Sequence, residues 1–243
     1  MKCRFLVAAA LFAVACSANA AVIYGQNLVV NGDAEAGMNG WSGYADYSTV
    51  QSVDYGSSWV LPTQPGPADR GAKMFAGSGE YAVGYQSFDF STPIAQNVSY
   101  SLSGWLGGWA DQGDNALFYV QFLDEYNNEI ASSAIGPVTP EDRNNQTGLY
   151  YRESDGFVPA GTSRLSFWLS MERLVAGDND GYADNLSFIL QAPVSEVPEP
   201  GMVPMYLLGL GMLGWARRRQ ARTRWSSSAS ASVNAMPDRP CHQ

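Results

Sequence analysis

The side chains that most often carry enzyme chemistry are nearly missing from the middle of this 243-residue chain. Its only histidine is His242, and its three cysteines, Cys3, Cys16 and Cys241, lie at the two ends. Serine–histidine–aspartate triads, cysteine–histidine pairs and histidine-ligated zinc therefore have no residues to work with in between. No P-loop or glycine-rich dinucleotide fingerprint falls at a strand-to-helix junction, so phosphate-bearing cofactors have no support either. What remains is carboxylate chemistry. Glycoside hydrolysis needs only two carboxyl groups at a suitable separation, and Glu80, Asp124, Glu153 and Glu172 sit on expected strands or at their ends. Exposed strand carboxylates are usually just solvated, and the expectation is a protein that is not an enzyme.

The second chemistry open to the chain is stacking on sugars. Pyranose rings present flat C–H faces to aromatic side chains, and Trp105, Trp109 and Tyr151 are the expected platform. Trp109 follows Gly107 and Gly108 and precedes the polar run from Ala110 to Asp114, where a ring is expected to be exposed. Charge restricts the partner further. Residues 21–200 hold six basic side chains (Arg70, Lys73, Arg143, Arg152, Arg164 and Arg173) against 22 acidic ones, a net of −16. Such a surface repels phosphate backbones, which argues against nucleic acid. It suits a soluble surface protein or one that binds divalent cations.

The elements that must position these residues read as strands. From 27 to 190 apolar and polar residues alternate over short runs, broken by turn signals roughly every 8 to 12 residues, which is the pattern of a β-sandwich or barrel. The expected strands are 27–30, 81–90, 98–106, 116–123, 130–135, 149–153, 165–171 and 182–190, with turns at Asn31-Gly32, Pro65-Gly66-Pro67, Asn127-Asn128 and Asp180-Gly181. In 98–106 the alternation puts Tyr100, Leu102 and Gly104 on one face and Ser99, Ser101, Ser103 and Trp105 on the other. No stretch of helical period interrupts the series. The expectation is one all-β domain over 21–191. Without cysteines it can hold no disulfide, so its core alone must stabilise it.

The two ends are of a different kind. Lys2 and Arg4, an apolar run from Phe5 to Ala15, and the small residues Ala18-Asn19-Ala20 predict a signal peptide over 1–20, cleaved between Ala20 and Ala21. The apolar run is too short for the roughly 20 residues that a membrane crossing takes. Ala13 to Cys16 is also a weak match to a lipobox, whose first position is Ala here. At the other end, 192–200 is a Pro-rich linker, and the uncharged, mostly apolar 201–216 runs into Arg217, Arg218 and Arg219. A single membrane-spanning helix over 201–219 is expected, its arginines held in the cytoplasm. The Ser/Ala-rich 220–243 has no periodicity and reads as disordered.

The order Val197-Pro198-Glu199-Pro200, a Gly- and Leu-rich apolar segment and an arginine cluster resembles the PEP-CTERM sorting signal. The resemblance implies transient anchoring in the inner membrane of a Gram-negative bacterium, recognition by an exosortase-type membrane protease, and delivery to the cell surface or extracellular matrix. Members usually stop soon after the arginines, whereas this chain continues through 220–243. The stretches Asp69-Arg70-Gly71, Leu102 to Gly108, Gly136 to Thr139 and Asn179 to Ser187 resemble the ectodomains of a set of such proteins. The opening Asn27 to Glu35, with Gly40-Trp41, resembles galactose-binding-like jelly rolls, including carbohydrate-binding modules. This resemblance implies an antiparallel jelly-roll-like sandwich. It also implies a structural Ca²⁺ held by Glu35 and Asp184, with Asp33 and Asp180 as weaker candidates, although Asn31-Gly32 and Asp180-Gly181 read equally as plain turns. The function implied is a non-enzymatic surface protein that binds a polysaccharide. A purely structural or adhesive matrix protein is the alternative, and a two-carboxylate glycosidase is the third.

Overall fold

The computed structural model describes residues 22–96 and 98–192. The chain divides into two units, Met1–Pro193 and Val194–Gln243, and only the first contains described residues. The signal cleavage at Ala20 and Ala21, the sorting residues Val197 to Pro200 and Arg217 to Arg219, and the membrane helix expected over 201–219 lie outside them. Among the described residues no helix is long and apolar enough to cross a membrane.

Ten strands form: β1 Ser48–Thr49, β2 Gln51–Asp54, β3 Lys73–Ala76, β4 Tyr81–Asp89, β5 Val98–Gly108, β6 Asn115–Leu123, β7 Glu129–Ile135, β8 Gly148–Val158, β9 Arg164–Glu172 and β10 Tyr182–Leu190. They make two five-stranded sheets, ordered β1-β4-β9-β6-β7 and β2-β3-β10-β5-β8. All pairings are antiparallel except the short parallel pair of β1 with β4. The result is an all-β sandwich, one of the two forms that the alternation allowed and the one that the resemblance to jelly rolls implied.

Alternation explains the layering. In β6 the inward set is Ala116, Phe118, Val120 and Phe122, and in β9 it is Leu165, Phe167, Leu169 and Met171, all buried. From the other sheet come Tyr100, Leu102 and Leu106 of β5 and Ala183, Phe188 and Leu190 of β10. Aromatic rings bridge the layers: Tyr100 lies 4.9 Å from Phe188, and Phe188 lies 5.4 Å from Phe167. A bulge in β10 lets three residue steps from Asp184 to Ser187 oppose two on β5. Asn185 takes φ +50-like geometry there (49°), and Leu186 turns into the core. The Leu186 amide donates to the Gly32 carbonyl at 2.9 Å. Gly32 is fixed by this approach, since a Cβ would lie 2.0 Å from the Leu186 carbonyl oxygen.

Two expectations are corrected. The strand expected over 27–30 does not form: Asn27 makes an isolated bridge to Ile189, and the chain then enters turns. Asn27 instead works through its side chain, accepting from the Val29 and Phe188 amides and donating to the Leu186 carbonyl. The segment 55–72, in which only the turn Pro65-Gly66-Pro67 was expected, covers part of the outer face of the β2-β3-β10-β5-β8 sheet. There Val60 joins Met74, Ala76, Leu149 and Tyr182 in a second, smaller core, and the Leu149 amide donates to the Pro65 carbonyl at 2.9 Å.

With no disulfide to share the load, the ring contacts between the layers should dominate stability. Phe188→Ala is expected to lower the unfolding free energy by about 3–5 kcal/mol. Phe157→Ala, at a ring 64 % exposed on β8, should change it by less than about 0.5 kcal/mol. Urea denaturation of both variants checks this, and equal losses would refute it.

Candidate functional site

The outer face of the β1-β4-β9-β6-β7 sheet carries an aromatic groove. Tyr85 of β4, Trp168 of β9 and Tyr119 of β6 are directly paired across three adjacent strands. They project outward because their neighbours Phe167, Leu169, Phe118 and Val120 fill the inward positions. The Tyr119 and Trp168 rings are parallel within 5°, 6.0 Å apart. Tyr85 is inclined to Trp168 by 52° at 4.6 Å, and Tyr44 meets it edge-on, at 80° and 4.7 Å. The segment carrying Tyr44 is fixed by two backbone hydrogen bonds between Ser42 and Tyr85, of 2.9 and 2.8 Å. Tyr47 packs on Tyr81 at 5.1 Å.

The rings of Tyr44, Tyr47, Tyr81, Tyr119 and Trp168 line a depression of about 510 Å³, completed by Val83, Gln121 and Ser170, with Tyr85 behind Trp168 outside the lining. A second depression of about 420 Å³ shares Tyr81, Tyr119 and Ser170 and extends toward β7 over Leu117, Ser132, Ser133 and Ala134. Together they cross the sheet. Polar groups sit on the floor: the Trp168 Nε1–H donates to Gln121 Oε1 at 2.8 Å, and Gln121 Nε2 donates to Glu129 Oε2 at 2.7 Å. Tyr44 and Tyr47 remain 49 % and 52 % exposed. So many rings open to water form an apolar patch of the kind that marks a binding surface.

The aromatic residues expected to form the platform lie on the other sheet. Trp105 pairs with Tyr151 across β5 and β8, with ring centroids 5.9 Å apart. Trp105 and Trp109 are half-buried against the smaller core beside Trp59 and Tyr55. Trp109 is thus not the freely exposed ring expected: β5 continues through Gly108, and the 55–72 segment closes over that end of the sheet. Only Tyr151 is well exposed, and its hydroxyl donates to Glu153 Oε2 at 3.0 Å. The missed signal was in β9, where outward Ser166 and Ser170 flank Trp168 at two-residue spacing. A tryptophan between two outward serines points outward.

Glu35 and Asp184 are brought to one end of the sheet, together with Asp33. Glu35 Oε1 accepts from the Ala72 and Lys73 amides, each at 2.7 Å. Gly71 has φ +63°, and a Cβ there would lie 2.3 Å from the same oxygen, so the site depends on glycine. Asp184 is fully buried, accepting from the Tyr55 hydroxyl at 2.6 Å and the Asn185 amide at 2.7 Å. Burial pushes its pKa up to about 7, and the charges of Asp33 and Glu35 add to the rise. A neighbouring depression of about 420 Å³ is lined by Asn27, Asn31, Gly32, Asp33, Asp69 and Asn185 among others.

Asp180 belongs elsewhere. It accepts from the Tyr182 hydroxyl at 2.5 Å and faces Asp114, Asp178 and the buried Arg143, with burial raising its pKa. Among the described residues no three carboxylate side chains converge closely enough to form a ready metal cage. Of the four carboxylates considered for hydrolysis, Glu80 and Glu172 come to the same end of the β4–β9 pair, where Tyr81 is paired with Glu172, and the other two lie elsewhere. Glu153 is on the opposite sheet, and Asp124 caps the β6–β7 turn by accepting from the Tyr126 and Asn128 amides at 2.8 Å. Glu80 pairs with Arg173 at 3.2 Å, and Glu172 ends β9.

No curated protein matches the chain. Among solved structures it is similar to the enzymatically active domain of bacteriophage CBA120 tailspike protein 4, with 18 % identity over 68 % of this chain and 21 % of that one (TM-score 0.48). The chain therefore spans about a fifth of that protein's length. It is also similar to a family 16 carbohydrate-binding module, with 28 % identity over 67 % of this chain and 99 % of that one (TM-score 0.44). The CBM22-1 xylan-binding domain from Paenibacillus barcinonensis Xyn10C shows 15 % identity over 63 % and 88 % of the two chains (TM-score 0.38). Residues 196–220 match the PEP-CTERM protein-sorting motif.

Proposed function

We propose that this chain is a non-catalytic polysaccharide-binding protein of a Gram-negative cell surface or extracellular matrix, sorted there by an exosortase-type protease, and that the aromatic groove is its ligand site. The observation that carries the reading is the in-register series Tyr85–Trp168–Tyr119 on the outer sheet face, with Trp168 and Tyr119 lining the depression. A sugar chain lying on it would stack C–H faces on the rings and reach the amide of Gln121 and the hydroxyls of Ser132, Ser133 and Ser170. Binding, orientation and release are all that such a surface needs to perform. Glu80 is engaged by Arg173, Glu153 is on the opposite sheet and Asp124 is at the other end of β9 from Glu172, which supports a role without hydrolysis, and the purely structural alternative gives no reason for the ring-lined groove.

Affinity gel electrophoresis tests the site. Trp168→Ala should lower affinity for a responsive polysaccharide at least tenfold, about 1.4 kcal/mol, and Tyr44→Ala, at an exposed ring, should weaken it without shifting the melting temperature. Trp105→Ala and Tyr151→Ala should leave retention unchanged. Loss of retention in that second pair, with the first pair binding normally, would move the site to the opposite sheet.

Sorting has its own test. Mass spectrometry of surface-exposed material from exosortase-competent cells should show chains ending near Pro200, and material consisting only of the full-length chain would contradict removal of the C-terminal segment.

A structural Ca²⁺ at Glu35 and Asp184, with Asp33 nearby, belongs to the same proposal. The donors are hard oxygens, as Ca²⁺ requires, and backbone carbonyls would have to complete the shell. The cation would neutralise the buried Asp184 and the exposed Asp33 and Glu35, whose charges raise its pKa. Its linkage to pH is definite in sign. The folded-state pKa of Asp184 is raised to about 7, above the ordinary value near 3.9 in the unfolded chain. The metal-free native state therefore binds the extra proton, and the stability this gives is fully present below about pH 4 and lost as pH rises through about 7. In chelator, the melting temperature should fall between pH 4.5 and pH 8. Calcium should restore it at pH 8, and Asp184→Asn should remove both the fall and the calcium response. A melting temperature at pH 8 that ignores calcium would end the metal assignment.

A further inference from the structure

We infer that the groove takes an uncharged polysaccharide, as a single chain engaged along its length; this rests on the groove being a glycan site, as proposed above. Three observations carry it: the state of the cations, the tilt of the rings, and the open ends of the groove.

Acidic glycans, with uronate or sulfate groups, need cationic partners, and arginine or lysine ordinarily supplies them. Neither depression is lined by a lysine or an arginine. The two arginines on this sheet are committed at its ends, Arg164 to Asp89 at 2.5 Å and to the Asn127 side chain at 2.8 Å, and Arg173 to Glu80 at 3.2 Å and to the Gly177 carbonyl at 2.9 Å. The nearest charge on the floor is negative, Glu129, which already accepts from Gln121. An acidic chain would thus meet a like-charged field with nothing to offset its desolvation. The groups that are present, tyrosine and serine hydroxyls and the Gln121 amide, suit neutral hydroxyl-bearing sugars.

The rings set the physical form of the ligand. Tyr119 and Trp168 are parallel, but Tyr44, which also lines the depression, rises against Trp168 at 80°. This is a trough, which admits one chain and does not match the flat face of a crystalline polymer. The trough crosses the sheet from the Tyr44–Tyr47 segment to β7 and is bounded by no residue that would stop a chain at either end in the two linings. Five strands at about 4.8 Å spacing give a path of roughly 19 Å, or about four sugar rings of about 5 Å each. The ligand is therefore read as an internal segment.

The test uses the exported protein with Trp168→Ala as control. Electrophoresis in gels containing arabinoxylan, galactomannan, xyloglucan or mixed-linkage β-glucan is compared with gels containing alginate, polygalacturonate or hyaluronan, each at low and high salt. Retardation by at least one neutral polymer, dependent on Trp168, and by no acidic polymer at either salt, is the expected result. Calorimetry on oligosaccharides of the responsive polymer should show affinity rising about tenfold from two to four units. Borohydride reduction of the chain end should change it by less than about twofold. Crystalline cellulose should not sediment the protein. Trp168-dependent binding of an acidic polymer, affinity lost on end reduction, or adsorption to cellulose overturns this inference while leaving the groove as a glycan site. Failure of every polysaccharide overturns both. Ser132→Arg, at an exposed position in the groove, supplies the missing cation and should add alginate binding; if wild type and variant bind alginate equally, charge is not what selects the ligand.

Discussion

Strand β9 sets the constraint on which the rest depends. It is the middle strand of its sheet, hydrogen-bonded to β4 and β6 over its whole length. Every second residue is therefore fixed either in the core or on the groove floor. Leu165, Phe167, Leu169 and Met171 go in; Ser166, Trp168 and Ser170 go out. A slip of one residue would put Trp168 into the space of Phe167 and lay the core side chains against water, so the register is specified by the same burial that holds the sandwich together. Both neighbouring strands obey the same parity, and this is why three rings from distant parts of the sequence arrive side by side. The groove is a by-product of core packing as much as a feature of its own.

The two outer faces are treated differently, and the cause lies in one segment. Residues 55–72 lie over the outer face near β3, β8 and β10, where Trp59, Trp105 and Trp109 become walls of a second core. The segment is tied down by polar contacts at both ends of its path. Tyr55 donates to Asp184 at 2.6 Å, Arg70 stands 5.2 Å over the Tyr55 ring, and Arg70 also donates to the carbonyls of Leu61, Gln64 and Pro67. Glu35 holds the exit of the segment through the Ala72 and Lys73 amides. On the other sheet the shorter segment through Tyr44 packs against Tyr85 and Trp168 and leaves a depression of about 510 Å³ beside it.

How much of this was legible in the sequence depended on burial. The long strands β4 to β7, β9 and β10 were read within one or two residues, because a buried face enforces strict alternation. Strands β1, β2 and β3 were not read: they have two or four residues each, too few for a period to show. The expected strand at 27–30 shared their apolar look, yet Asn27 spends its side chain on β10 in place of a ladder. The end of β8 was cut short because Ser154, Asp155 and Gly156 look like a turn, whereas pairing with β5 carries the strand through them. The partial burial of Trp105 and Trp109 was not legible for a related reason. Periodicity says which residues share a face, but not whether a remote segment will cover it. Trp105 is outward by parity and still half-buried, since 55–72 folds over it.

The same accounting of partners explains what the acidity of the domain is for. All six cations of residues 21–200 are engaged inside the domain. Lys73, Arg152, Arg164 and Arg173 each face a carboxylate, with Asp54, Asp142, Asp89 and Glu80 as partners. Arg70 is spent on carbonyls and a tyrosine ring, and Arg143 is fully buried on the carbonyls of Ala110, Gln112 and Gln146. Arg143 fastens the loop after β5 to the loop before β8, with its Nε left unpartnered and its pKa lowered by burial. Exposed pairs of this sort add little stability each; their larger consequence is that positive charge is withdrawn from the surface. The carboxylates left over then give the exterior one sign, which keeps copies of the protein apart and makes contact with anionic polymers unfavourable. A surface that attracts through contacts needing no charge is left by the rings around Trp168, since neither depression there is lined by a charged side chain.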